Sequence, residues 1–78
     1  MAKKVVIDLM TEDATRKAKA RTIAVNEATG LKSADYAGER GNMLEVIAES
    51  IDAVRVVDKI KKEAKLQEAK LIRVVDQN

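Results

Sequence analysis

Cysteine and histidine are both absent from this chain. Without them there is no disulfide staple, no thiolate and no imidazole, so structural zinc, copper and haem sites in their usual forms are excluded. A nucleophilic cysteine, a Ser-His-Asp arrangement and a histidine acid–base pair are excluded for the same reason. Aromatic residues are reduced to Tyr36, with no Phe and no Trp. That removes stacking platforms for bases, sugars or flat cofactors. No apolar run approaches the roughly 20 residues that cross a bilayer, and Met1-Ala2-Lys3-Lys4 lacks the apolar stretch of a signal peptide. A cytoplasmic location is the resulting expectation. Neither sign of charge dominates, with fifteen Lys and Arg against thirteen Asp and Glu and a net charge of +2. Taken over the whole chain, that balance argues for neither a nucleic acid nor a membrane partner. No spacing suggests a nucleophile and its base, and no glycine-rich phosphate loop follows a strand. Neither an enzyme activity nor a cofactor is therefore expected.

What is present suits one small domain over residues 1–78: 46% hydrophobic residues and 36% charged. With no cross-link and no ring-rich core, Val, Ile, Leu and Ala must supply the stability, and a chain of this size favours a compact two-layer fold. Lys4 to Leu9 is a β-branched run that predicts a strand, with Val5, Ile7 and Leu9 on one face and Asp8 on the other. Thr11-Glu12-Asp13 offers N-cap candidates for a helix over 14–28, where Ala20, Ile23, Ala24 and Ala28 form a narrow stripe of small residues. Gly30 suits a left-handed cap at its end. Leu31–Ala37 and Met43–Ala48 read as strands joined by Gly38-Glu39-Arg40-Gly41-Asn42, which is turn chemistry, so the three segments predict a hairpin. Ser50-Ile51-Asp52 caps a second helix whose inner stripe is Ala53, Val56, Val57, Ile60 and Ala64. Ala69–Val75 reads as a last strand, its Lys70 and Arg73 suiting an edge, where charge discourages pairing with other chains. The order strand, helix, strand, strand, helix, strand predicts an α+β, ferredoxin-like βαββαβ fold, a four-stranded antiparallel sheet with two helices on one face. The other face is left for water or a partner.

The segments Lys4-Val5-Val6-Ile7, Lys19 to Val25, Gly30-Leu31-Lys32-Ser33, Leu44-Glu45-Val46-Ile47, Ile51 to Arg55, Lys61-Lys62 and Ala69-Lys70-Leu71 have an order and spacing that resemble a heavy-metal-associated domain, particularly its plant form. The resemblance runs from Lys4 to Val75. In that family a loop of pattern M-x-C-x-x-C between the first strand and first helix holds a soft cation through two thiolates. Here Asp13 and Arg16 occupy the cysteine positions in an ungapped register, or Glu12 and Thr15 if Met10 is the motif methionine. Arg16 repels a cation and Thr15 is a poor soft ligand, so no metal is expected at this degenerate loop. Within that family the chain resembles plant domains that have lost the cysteines. Some are small proteins; others are decoys integrated into immune receptors, where they bind secreted fungal effectors.

The resemblance thus implies a metal-free protein-interaction domain, with a secreted fungal effector docking on the sheet near the second and third strands or pairing with a sheet edge. Carried over by position, Ser33 and Glu45 match contact positions. Glu39, Met43 and Ile47 join them by alternation, and Asp35 joins if the second strand keeps its register. Met43 and Ile47 flanking a carboxylate make a mixed patch suited to a partner strand or a charged anchor. A weak homodimer is kept open, and a divergent carboxylate-based metal carrier is the alternative function. The blander expectations are that Glu12 and Asp13 are helix-start carboxylates, that Tyr36 is a sheet residue with its hydroxyl at the rim, and that Lys59 to Lys65 is a solvated helix end.

Overall fold

The computed structural model describes residues 2–77. The chain runs β1 (Ala2–Asp8), α1 (Ala14–Glu27), β2 (Thr29–Ala37), β3 (Met43–Ser50), α2 (Ala53–Glu63) and β4 (Lys70–Gln77). The four strands form one antiparallel sheet in the order β2-β3-β1-β4. This is the ferredoxin-like arrangement. Among the described residues, no helix is long and apolar enough to cross a membrane.

Alternation along the central strands decides which side the helices cover. Val5 and Ile7 of β1, with Leu9 just beyond it, join Leu44 and Val46 of β3 and Ala34 of β2 on the helix side. Against them pack Ala20, Ile23 and Ala24 of α1 and Val56, Val57 and Ile60 of α2. Each fully covered Val, Leu or Ile contributes about 1.5–3 kcal/mol, so these few side chains carry most of the fold. α1 meets the sheet through two alanines and one isoleucine, whereas α2 has a broad branched stripe. Asp13 and Asp52 are the N-caps, each accepting a hydrogen bond from the backbone N–H three residues on, Arg16 at 3.1 Å and Arg55 at 3.2 Å. Losing such a cap costs about 1 kcal/mol.

Gly30 departs from expectation. α1 ends at Ala28, which turns directly into extended backbone, and Gly30 lies inside β2 between the Thr29–Ser50 and Leu31–Ala48 pairs with φ +66°. The register shifts between Leu31 and Ser33 just beyond it, so the glycine supplies a left-handed residue beside a bulge and does not cap the helix. β4 begins at Lys70, and its pairing with β1 shifts between Val6 and Ile7, leaving Ile72 as the extra residue. At the end of α2, Ala64 is the C-cap and Lys65 takes the left-handed position with φ +57° where glycine is usual. The ammonium-bearing side chain stays exposed there.

Candidate functional site

The face of the sheet turned away from the helices is built by alternate residues of the same strands. Opposite pairing of β2 and β3 sets Ser33 against Ile47 and Asp35 against Glu45. Opposite pairing of β3 and β1 sets Glu45 against Val6 and Ile47 against Lys4. Five of the six residues named from sequence (Ser33, Asp35, Met43, Glu45 and Ile47) therefore share one face. Asp35 is exposed and makes no ion pair among the described residues, while the other four are half-buried. Glu39 is exposed in the β2–β3 turn, past the Ala37–Met43 pair that ends the ladder. It borders the patch and does not line it.

Ala2, Lys4, Val6 and Asp8 of β1 also belong to this face, and Lys4 and Val6, which lie against Ile47 and Glu45, were not named as site residues from sequence. Lys4 Nζ is 3.0 Å from Glu45 Oε1, so the carboxylate expected to receive a partner's cation is already shared with an internal one. Val6 sits between Glu45 on β3 and Arg73 on β4, outside the helix-side core yet only 3% exposed. Both long neighbours have aliphatic stems suited to covering it. Periodicity along one strand shows which residues share its face but not which strand lies beside it. The signal that would have found Lys4 and Val6 is the fold class, since the ferredoxin-like order puts the first strand next to the third.

The two edges are unlike. Along β2, Arg21 of α1 donates from Nε to the Ala34 carbonyl at 2.9 Å, and Lys17 donates to the Gly41 carbonyl at 3.1 Å. Lys17 also lies 5.3 Å from the centre of the Tyr36 ring. Tyr36 pairs with Leu44, which puts it on the helix side at the rim, 42% exposed and away from the Glu45 face. Along β4, Ile72, Val74 and Val75 are each between 41% and 44% exposed, and no side-chain hydrogen bond from a helix reaches the strand among the described residues. One edge is shielded by long cations and the other presents apolar side chains with Arg73 between them.

The loop in the place of the metal motif has other uses. Asp13 is committed to its N-cap, Glu12 reaches Arg40 at 3.7 Å, and Thr15 is exposed in the first turn of α1. Met10, with φ +53°, is held by its N–H donating to Asp8 Oδ1 at 2.9 Å. An open cleft there is lined by Met10, Thr11, Arg16, Lys65, Gln67 and Glu68, with two cations against one carboxylate. Among the described residues no three of His, Cys, Asp and Glu come together to hold a metal. The strongest electrostatic feature lies between the helices. Glu27 accepts from Arg55 at 2.7 Å and Lys59 at 3.3 Å, and the Lys59 hydrogen bond above all holds its carboxyl below the usual range. This triad ties the end of α1 to the start of α2 and leaves the open sheet face untouched. No protein-family model matches this chain, and no curated protein matches it either.

Proposed function

We propose that the chain is a metal-free protein-interaction domain of the plant heavy-metal-associated type, and that its partner is a secreted fungal effector docking on the open sheet face. The reading is supported above all by the β2–β3 register, which gathers Ser33, Asp35, Met43, Glu45 and Ile47 into one patch of mixed character. The nature of the partner rests on the order and spacing of segments that resemble the plant family. In this mechanism a partner's Lys or Arg meets Asp35 and joins Lys4 at Glu45, while Met43 and Ile47 supply shallow apolar contact. Backbone pairing along an edge adds to these contacts. Ion pairs that remain exposed are screened, so affinity falls as salt rises.

The test is titration calorimetry of the domain and its Glu45→Arg variant against candidate effectors, with amide chemical shifts followed in parallel. Reversal at Glu45 sets two cations side by side and repels an incoming third. A loss of about tenfold or more in affinity, near 1.4 kcal/mol, is expected with the fold intact. Unchanged affinity, or a saturating effector that leaves the β2–β3 amides unperturbed, would refute the assignment of this face.

A further inference from the structure

The open sheet face carries opposite charges on its two halves. On β2 and β3 the ladders place Asp35 and Glu45 there, and alternation past Ile47 adds Glu49. On β1 and β4 they place Lys4, Lys70 and Arg73, with Asp8 the acid among them. Lys32 is the extra residue of the β2 bulge and pairs with none of these. One row across the sheet condenses the contrast. Pairing sets Asp35 against Glu45, Glu45 against Val6, and Val6 against Arg73. The row thus has an anion at one edge and a cation at the other, about 14 Å apart at roughly 4.8 Å per strand spacing. Glu45 is shared with Lys4 at 3.0 Å. Asp35 and Arg73 are both exposed and make no ion pair among the described residues.

Such a row is its own complement. Consider a two-fold axis parallel to the strands and midway between β3 and β1. It lays a second copy face to face on the first, with β4 of each opposite β2 of the other. Asp35 of each copy then meets Arg73 of the other, twice by symmetry, and Glu45 lies over Val6 of the other copy. On one side of that row, Lys4 lays its stem on Ile47 of the other copy and the exposed Val75 meets Ser33. On the other side, Lys70 meets Ala37 and Asp8 meets Met43. No like charges stand opposite each other among these rows. An axis across the strands would instead set Asp35 on Asp35 and Arg73 on Arg73.

Face-to-face sheets pack about 10 Å apart and about 30° askew. That twist moves the ends of the row by only about 4 Å, which the long arginine side chain can take up. We propose that the open face is a self-association surface whose occupant is a second copy of this chain, aligned by the two Asp35–Arg73 contacts. Four strands about 4.8 Å apart and roughly seven residues long span a projected area of about 440 Å². A standard interface covers about 800 Å² per partner, so the dimer is weak and concentration-dependent. The same patch is the one proposed above for a protein partner, and the two occupants compete. That competition rests on the partner reading, whereas the dimer itself does not.

Sedimentation equilibrium of the full chain from about 10 μM to about 1 mM tests this. The mass should rise from 8.6 kDa toward twice that value, and less so as salt is added. Asp35→Arg and Arg73→Asp should each weaken association about tenfold or more, because symmetry turns both contacts into like-charge pairs. An equimolar mixture of the two variants sets two arginines opposite two aspartates. It should regain a mass that neither variant reaches alone, which also shows that both fold. A mass that stays at 8.6 kDa throughout, or a mixture no heavier than its components, overturns the proposal. So does a dimer that survives Asp35→Arg with concentration-dependent amide shifts confined to β4, which would be pairing of one β4 edge with another. No effector is present in these measurements, so their outcome stands apart from that of the effector titration.

Discussion

The two faces of the sheet are made by the same strands and yet obey different rules. On the helix side Val5, Ile7, Leu44 and Val46 are wholly covered, and every buried position among the described residues is apolar because a polar group there would have no partner. On the other side the alternate positions of β1 and β3 are Ala2, Lys4, Val6, Asp8, Met43, Glu45, Ile47 and Glu49, a set that packing alone does not dictate. The first face determines whether the chain folds. The second is free to be chosen for what it touches. Val6, and Ala2 at the start of the same strand, blur the line, being as covered as core residues while standing on the open face.

That contrast is testable by its asymmetry, and the largest effect belongs to the helix side. Ile60→Ala or Leu44→Ala removes a fully covered side chain from the layer between sheet and helices. A loss of about 2–5 kcal/mol is expected by chemical denaturation. A loss below 1 kcal/mol would mean that the core is not where the contrast puts it. Val6→Ala is the sharper probe. Two methyl groups are lost from a covered site, at about 0.8 kcal/mol per buried carbon, but Glu45 and Arg73 are able to close over the gap. Roughly 1–1.5 kcal/mol is expected, and a cost equal to that of Leu44→Ala would show the open face to be a second core.

A residue belonging to neither face calibrates the scale. Lys65 holds a left-handed conformation that costs a side-chain-bearing residue about 1–2 kcal/mol. Glycine there gives back part of that gain through its own flexibility. Lys65→Gly is expected to stabilise the domain by about 0.5–1 kcal/mol in the same denaturation experiment. Glu45→Gln cuts the Lys4 pair, whose two side chains are 25% and 31% exposed. An exposed or half-exposed pair contributes about 0.2–1 kcal/mol, so stability should hardly move even where binding does.

The same asymmetry explains how much of the fold is legible in the sequence. Helix-side residues are legible because burial imposes a period: Val5, Ile7 and Leu9 on one strand face, and Ala53, Val56, Val57, Ile60 and Ala64 on one helix stripe, all emerged as expected. Asp13 and Asp52 were legible because few side chains satisfy the first amides of a helix. Gly30 misled because positive φ serves a helix cap and a strand bulge equally well, and local sequence does not say which. The patch on the open face was partly legible, since alternation fixes Met43, Glu45 and Ile47 relative to one another. Its β1 members required knowing the neighbouring strand, and Glu39 required knowing where the ladder stops.

The smallest expected effect concerns how the helix layer itself is held. Glu27 bridges α1 to Arg55 and Lys59 of α2, and its carboxyl is lowered from the ordinary 4.5 chiefly by the Lys59 hydrogen bond. A carboxyl depressed in the folded state adds stability that is fully present above its unfolded value. That stability is lost as pH falls through the lower, folded one. Denaturation midpoints measured from neutral pH downward should thus decline below about pH 4.5, and Glu27→Gln should flatten its share of that decline while leaving the curve near neutrality little changed. The side chain keeps 20% of its surface exposed, so added salt should shrink the difference between the two proteins. An unchanged acid limb in Glu27→Gln would mean that the helices are aligned by Ile23, Val57 and Ile60 alone.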